Sequence, residues 1–358
     1  MLNPEPALPG TSASLTAPAD LFERPSGVGK PAEAPVRLAG LDGLRAVAAL
    51  CVVVMHVGAI WPNAPRIIGA AYLSVDFFFL LSGFVMARTY EARLRDGRIS
   101  AGHFLAARYR RLWPTMAWGA AFALPFLWRD FPDLRTFFGA AIPNLLLLPT
   151  FVTPVLFALN TPAWSVFFEL VANLAHGLVL HRLRTAALAV SAALSLVAVA
   201  ACARHWGDLD LGSQVDTVAG GFARVAFSYA LGIVLWRWHG NRAPMRVPPA
   251  LAFAAMPVLF IAASTVPFEG AKFDIAFVAV GAPLILWGGL NLRLGTGWWP
   301  WLCRAAGAMS FPLYAVHYPV LLAAEAARLP LWLGPAAALA AAALVTKATG
   351  GFRHLGGR

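Results

Sequence analysis

Residues 39–61 read AGLDGLRAVAALCVVVMHVGAIW, and this run decides the fold class. About 20 consecutive apolar residues, rising 1.5 Å each as a helix, cross the roughly 30 Å hydrocarbon core of a bilayer. The run is that long, and only Asp42, Arg45 and His56 interrupt it. Similar runs recur along the chain of 358 residues, which is 59% hydrophobic and 13% charged. Soluble domains carry about 25% charged residues. With a mean hydropathy of +0.67, the composition excludes a soluble enzyme, a disordered protein and a disulfide-rich secreted module. The net charge of +11 could suggest a nucleic-acid partner. The basic residues, however, fall in short loops between apolar runs, as they do when charge orients a membrane protein. We therefore expect a lipid bilayer as partner and no nucleic acid. Cys51, Cys202 and Cys303 lie in or beside different apolar segments without a CxxC spacing, so neither a metal site nor a disulfide framework is expected.

The sequence predicts an all-α polytopic protein with ten spans, near 39–61, 69–90, 112–128, 162–181, 185–203, 217–237, 249–267, 273–290, 303–326 and 331–348. Residues 1–36, with seven prolines and no apolar run, read as a disordered cytoplasmic tail. The membrane domain would occupy 37–350, and 351–358 would form a second short tail. The stretch 136–157 (FFGAAIPNLLLLPTFVTPVLFA) is apolar but broken by Pro143, Asn144, Pro149 and Pro154. We read it as a re-entrant or interfacial segment buried against protein, since broken backbone is tolerated at membrane depth only there. Ten spans with a cytoplasmic N-terminus put sixteen Lys and Arg in the inner loops and tail and six outside. A full crossing at 136–157 would invert every later loop and turn HRLR and RWHGNRAPMR outward, against the positive-inside rule.

Ionisable groups at membrane depth are costly and mark functional positions. In the first helix Arg45 and His56 are eleven residues apart, so they share a face to within about 20° and differ by roughly 16 Å in height. Asp42 and Arg45 could simply cap the helix at the interface, and His56 could be a packing histidine. The second helix places Asp76 near the outside and Arg88 near the inside, with Ser82 and Gly83 between as small packing residues. The segment HFLAARYRRLWP, read as a loop before the third helix, clusters Arg108, Arg110 and Arg111 at the inner face. Guanidinium forks suit phosphate, and such charge also serves topology and anionic lipid. In the fourth helix Ser165, Glu169, Asn173 and His176 form a polar stripe, either a helix seam or the wall of a cavity. Arg224 and Ser228 lie a turn apart in the sixth helix. In the ninth, Ser310, Tyr314 and His317 share a face beside Pro312. Imidazole and carboxylate groups toward one side, with arginines toward the other, suit an enzyme that takes a phosphate-rich donor such as acyl-CoA from the cytoplasm. A proton-coupled transporter or glycolipid flippase would show a similar set. A purely structural membrane subunit would not need Asp76, Glu169 and His56 at depth.

These residues resemble the integral-membrane acyltransferase-3 family, which includes bacterial O-acetyltransferases of surface and secreted glycans. The likeness covers about residues 38–348. LDGLRAVAALCVVVMH resembles the family's Arg-x10-His motif, SVDFFFLLSGF its second-helix signature, WSVFFE its Trp-Ser-Leu-x-x-Glu motif and SFPLYAVHYP its Tyr-x-x-His-x-Pro element. The basic motif departs: in ARYRRLWP, Ala107 stands where the family has its first arginine, while Arg108 and Arg111 match the other two. The C-terminal TKATGGFRHLGGR lacks the family's usual closing pattern, and a stand-alone membrane acyltransferase is expected. The resemblance implies a catalytic set of His56, Arg45 and Glu169. It implies donor binding by Arg108, Arg110 and Arg111, and acceptor contacts from Asp76, Trp164, Ser165, Tyr314, His317 and Arg224. It further implies acyl-CoA, with acetyl as the acyl group, as a donor substrate rather than a permanent cofactor, and no metal. The acceptor would be a hydroxyl of a cell-surface or exported glycan or glycolipid, and the location the bacterial inner membrane with both termini cytoplasmic. Histidine is the side chain tuned near neutral pH to take a hydroxyl's proton.

Overall fold

A computed structural model describes residues 38–239, 247–266, 269–292, 294–295 and 297–351. The expected tail at 1–36, the segment 352–358 and the loop arginines Arg242, Arg246 and Arg293 lie outside the described residues. The described residues form one compact unit. In chain order its helices are α1 (Ala39–Ile60), α2 (Ser74–Arg95), α3 (Ala101–Leu127), α4 (Leu134–Leu145), α5 (Ala163–Leu178), α6 (Thr185–Trp206) and α7 (Val218–His239). They continue as α8 (Pro249–Thr265), α9 (Gly270–Ala276), α10 (Ala282–Leu290), α11 (Trp298–Ala326) and α12 (Leu333–Ala348). A π turn over Phe277–Gly281 joins α9 to α10 without a break, so the two make one span. Among the described residues there is no β-strand, only the isolated bridges Val155–Gln214 and Val247–Leu292.

All ten expected spans are helical, and the chain is an all-α polytopic membrane protein. Five helices are long and apolar enough to cross a bilayer by length and composition alone. Their outward faces carry exposed large apolar side chains such as Leu194, Val197 and Leu284, the reverse of a water-facing surface. Helix starts differ where charge masks a helical face. The third span begins at Ala101, not near 112. Ser100 caps it by accepting the His103 N–H at 3.2 Å, and Phe104, Arg108 and Leu112, four residues apart, are all buried on one side. The arginine cluster is therefore part of α3 rather than a loop. Likewise α11 starts at Trp298, and α2 is preceded by a short 3-10 turn over Gly69–Leu73.

The contact order of α1 and α11 tests the span count. Arg45 reaches Gly307 and Ser310, and His56 reaches His317, so the two helices run parallel. Seven expected spans lie between them, an odd number, which makes the first and ninth parallel. An eighth crossing at 136–157 would reverse α11. The segment instead enters from the His56 end of the bundle and turns back. Asp133 caps α4, and the Thr136 backbone N–H it accepts holds its carboxyl below the usual carboxylate range. The twelve residues of α4 rise about 18 Å, short of a crossing. Phe137 and Ala141 pack on Ala123 and Leu127 of α3. The exposed carbonyls at the end of α4 are taken by α3, since Trp113 Nε1 donates to Leu145 O at 2.8 Å and Tyr109 OH to Leu146 O at 3.0 Å. Buried Asn144 then organises the return: its Nδ2 donates to Leu148 O and Leu156 O, and its Oδ1 accepts from Leu159 N. Protein donors thus satisfy the broken backbone, as membrane depth demands.

Candidate active site

The seam between α1 and α11 holds the polar residues of the first motif. Its arginine end closes tightly because Gly307 has no side chain; a Cβ there would stand 2.6 Å from the Asp42 Cβ. Asp42 Oδ1 accepts from Arg45 Nη2 at 2.8 Å, and the same guanidinium donates to Gly307 O at 3.0 Å and to Ser310 Oγ at 3.1 Å. Arg45 is half-buried and locked by both helices. On the same face and about three turns along, His56 is also half-buried. Its Nδ1 lies 3.0 Å from Val52 O and 3.1 Å from His317 Nε2. The Tyr318 ring stands edge-on to it, 5.1 Å between centroids.

His317 is fully buried, and its surroundings follow from Pro319. A proline leaves the carbonyl four residues before it without its helical partner, here that of Ala315. Asn160 Nδ2 donates to Ala315 O at 2.7 Å. Gly119 of α3 lets that carbonyl approach, since a Cβ at Gly119 would fall 2.0 Å from it. Tyr314 OH lies 2.7 Å from Ser165 Oγ, and Pro162 O is within 3.2 Å of both, so one hydroxyl donates to the other and the second donates to that carbonyl. The start of α5 is thereby pinned to the proline-containing middle of α11, beside the histidine pair. Asn160 and Tyr318 were not singled out in the sequence. Pro319, which leaves the Ala315 carbonyl in need of a donor, was the available signal for Asn160.

The structure separates the other expected site residues into two groups. Glu169 Oε1 accepts from Arg108 Nη2 at 2.8 Å and from Ser82 Oγ at 2.7 Å. Ser82, read as a packing residue, is therefore a ligand of the carboxylate. Arg108 is buried, whereas Arg110 and Arg111 are exposed; Arg111 lies within electrostatic reach of Arg108, Arg45 and Glu169. The α5 stripe goes to successive neighbours: Ser165 to α11, Glu169 to α2 and α3, and Asn173 to α7, where it accepts from Tyr229 OH at 3.1 Å. His176 ends the stripe between the Phe104 and Tyr229 rings.

Asp76 and Arg224 are given to each other. Arg224 donates to both Asp76 oxygens, the shortest contact being 2.6 Å, and also to Leu211 O at 2.7 Å and Tyr72 O at 3.1 Å. Its guanidinium lies over the Trp164 ring, 5.2 Å from the centroid, and Trp164 packs on Phe79 and Phe168. Every nitrogen of Arg224 has a protein acceptor, so this cluster holds the 207–217 loop to α2 and α7. A matching staple closes the other end, where Glu91 accepts from Arg95 and Arg237. A surface cavity of about 400 Å³ lies beside it, lined by Arg88, Glu91, Arg95, Trp236 and Arg237, well away from the histidine pair.

A family model described as an acyltransferase domain matches residues 38–348. The chain belongs to the acyltransferase-3 family. Among curated relatives, this acyltransferase is 38% identical over 156 residues to protein 2 in the picA locus of Rhizobium radiobacter, across 39% of this chain and 80% of that protein. It is 32% identical over 148 residues to the acyltransferase MdmB of Streptomyces mycarofaciens, 37% of each chain. It is 31% identical over 101 residues to the O-acetyltransferase OatA of Staphylococcus aureus, across 28% of this chain and 16% of that one. No solved structure matches the chain.

Proposed function

We propose that this membrane acyltransferase transfers an acyl group, acetyl in the first instance, from acyl-CoA at the Arg45 end of the bundle to a hydroxyl of an exported glycan or glycolipid at the His56 end. The bundle would sit in the bacterial inner membrane with the Arg45 end cytoplasmic. The single observation that carries the reading is the α1–α11 seam: His56 is partly open, its ring is held by His317, and the same helix bears the locked Arg45 about 16 Å away. The acceptor hydroxyl gives its proton to the His56 imidazole as its oxygen attacks the thioester carbonyl. The C–S bond breaks, and the thiolate leaves and takes up a proton, so acyl-S-CoA and R–OH become acyl-O-R and CoA–SH. The exposed Arg110 and Arg111 suit the donor's phosphates. Arg108, spent in part on Glu169, positions that arm of the site. The name of the O-acetyltransferase relative and the motif set support acetyl transfer.

The test is His56→Ala in purified protein, assayed with labelled acetyl-CoA against a panel of envelope glycan fractions. Loss of a general base costs about 10²–10⁴-fold in rate, and the variant is expected to lose activity by that much while staying monodisperse in normal yield. A monodisperse variant that keeps more than a tenth of the activity removes His56 from the mechanism. A transporter or flippase would yield no acylated product from wild type.

A further inference from the structure

A neutral imidazole can take a proton only at the ring nitrogen that carries no hydrogen. For His56 the surroundings decide which nitrogen that is. On α11, His317 Nδ1 lies 3.0 Å from Leu313 O and 2.9 Å from Tyr314 O. Carbonyl oxygens only accept, so His317 Nδ1 carries the ring hydrogen and its Nε2 carries the lone pair. That Nε2 is the atom 3.1 Å from His56 Nδ1. A lone pair in this position requires the hydrogen to be on His56 Nδ1. Val52 O, 3.0 Å from the same nitrogen, requires it independently. The opposite arrangement would put a second hydrogen on the fully buried His317 ring, charging it, and would aim a His56 lone pair at the Val52 carbonyl. Both are unfavourable in a low-dielectric interior.

We infer that His317 is a positioning residue: it accepts the Nδ1–H of His56 and so keeps the lone pair of His56 on Nε2, the atom that receives the acceptor's proton. The inference rests on the proposed general-base role of His56. It assigns His317 the task of the third member in a nucleophile–base–orienter set, which holds one tautomer and stabilises the imidazolium that forms. After proton uptake His56 still donates Nδ1–H to His317 Nε2 and Val52 O, and its new Nε2–H is the one passed on. Tyr318, edge-on to the ring, holds its plane without a claim on either nitrogen. Sequence alone shows two histidines on two helices; the tautomer follows from the four distances.

Two variants test this. His317→Phe keeps a ring but removes the acceptor. His317→Gln presents an amide oxygen near the place of Nε2 and restores it. Steady-state transfer from labelled acetyl-CoA, with monodispersity as the folding control, should show kcat lowered about 10–100-fold in His317→Phe with donor KM unchanged, and recovered to within about fivefold in His317→Gln. The inference is overturned if His317→Phe turns over within threefold of wild type, or if His317→Gln is as slow as His317→Phe while both are monodisperse. Should the Phe variant aggregate, His317→Asn replaces it. Its arm is too short to reach Nδ1 of His56, so Gln must exceed Asn about tenfold, and equal rates overturn the inference. Activity surviving in His56→Ala overturns the general-base reading itself, whereas an inactive His56→Ala with a fast His317→Phe removes only the orienting role.

Discussion

Arg108 changes meaning once its neighbours are known. In sequence it is one of three inner arginines; in the fold it is the buried member, and its carboxylate partner Glu169 is 18% exposed. Removing one partner of a buried pair leaves the other uncompensated, at a cost of about 3–5 kcal/mol when burial is complete, and nearer 2–3 kcal/mol here because water reaches Glu169. Arg108→Ala is therefore expected to lower the detergent-solubilised melting temperature by several degrees. The double change Arg108→Met with Glu169→Leu should recover most of that loss. An unchanged melting temperature in the single variant would show that the pair adds no stability and that Arg108 is available to a ligand. Asp76 and Arg224 carry the same lesson further, since both are buried and every guanidinium nitrogen already has an acceptor. The motif spelling marked these side chains as important. It could not show that their partners are one another.

Helix α11 illustrates how an element acquires a functional shape. Pro319 frees one carbonyl, Gly119 makes room for it and Asn160 satisfies it. Two residues after that carbonyl comes His317, whose Nδ1 is directed back to Leu313 O and Tyr314 O. Asn160→Leu leaves the Ala315 carbonyl buried without a donor, which costs about 1–3 kcal/mol. Because the same turn orients His317, we expect kcat to fall together with stability in this variant, and Asn160→Gln to be no better, because its longer arm cannot fit against Gly119. A stable Asn160→Leu protein with normal turnover would uncouple that turn from the site. The beginning of α3 shows the limit of reading elements from hydropathy. A helix whose first buried face includes an arginine looks like a loop until Phe104, Arg108 and Leu112 are seen on one side.

At the scale of the whole molecule, the parallel pairing of α1 with α11 fixes the parity of the crossings. Reporter fusions after Lys347 and in the α2–α3 loop near Gly97 should therefore report from the same side of the membrane, and a fusion in the 129–133 loop from the other. With sixteen Lys and Arg against six, the first two are expected to be cytoplasmic. A C-terminal fusion on the opposite side from the Gly97 fusion would break the parity and require residues 136–157 to cross. The amino-acid sequence by itself determined that the chain is helical and membrane-embedded, roughly where ten helices lie, that 136–157 does not cross, and which side chains carry the family's motifs. It could do so because a bilayer demands apolar length and internally satisfied backbone, and both are written locally in the chain. Tertiary structure alone decided which polar residues meet: His56 with His317, Arg108 with Glu169 and Ser82, Asp76 with Arg224, and Asn160 with the carbonyl that Pro319 leaves free. These partners lie on different segments of the chain, 261 residues apart for His56 and His317. Helical periodicity fixes the face a residue occupies but not the helix that face will meet, which is settled by the packing of the whole bundle.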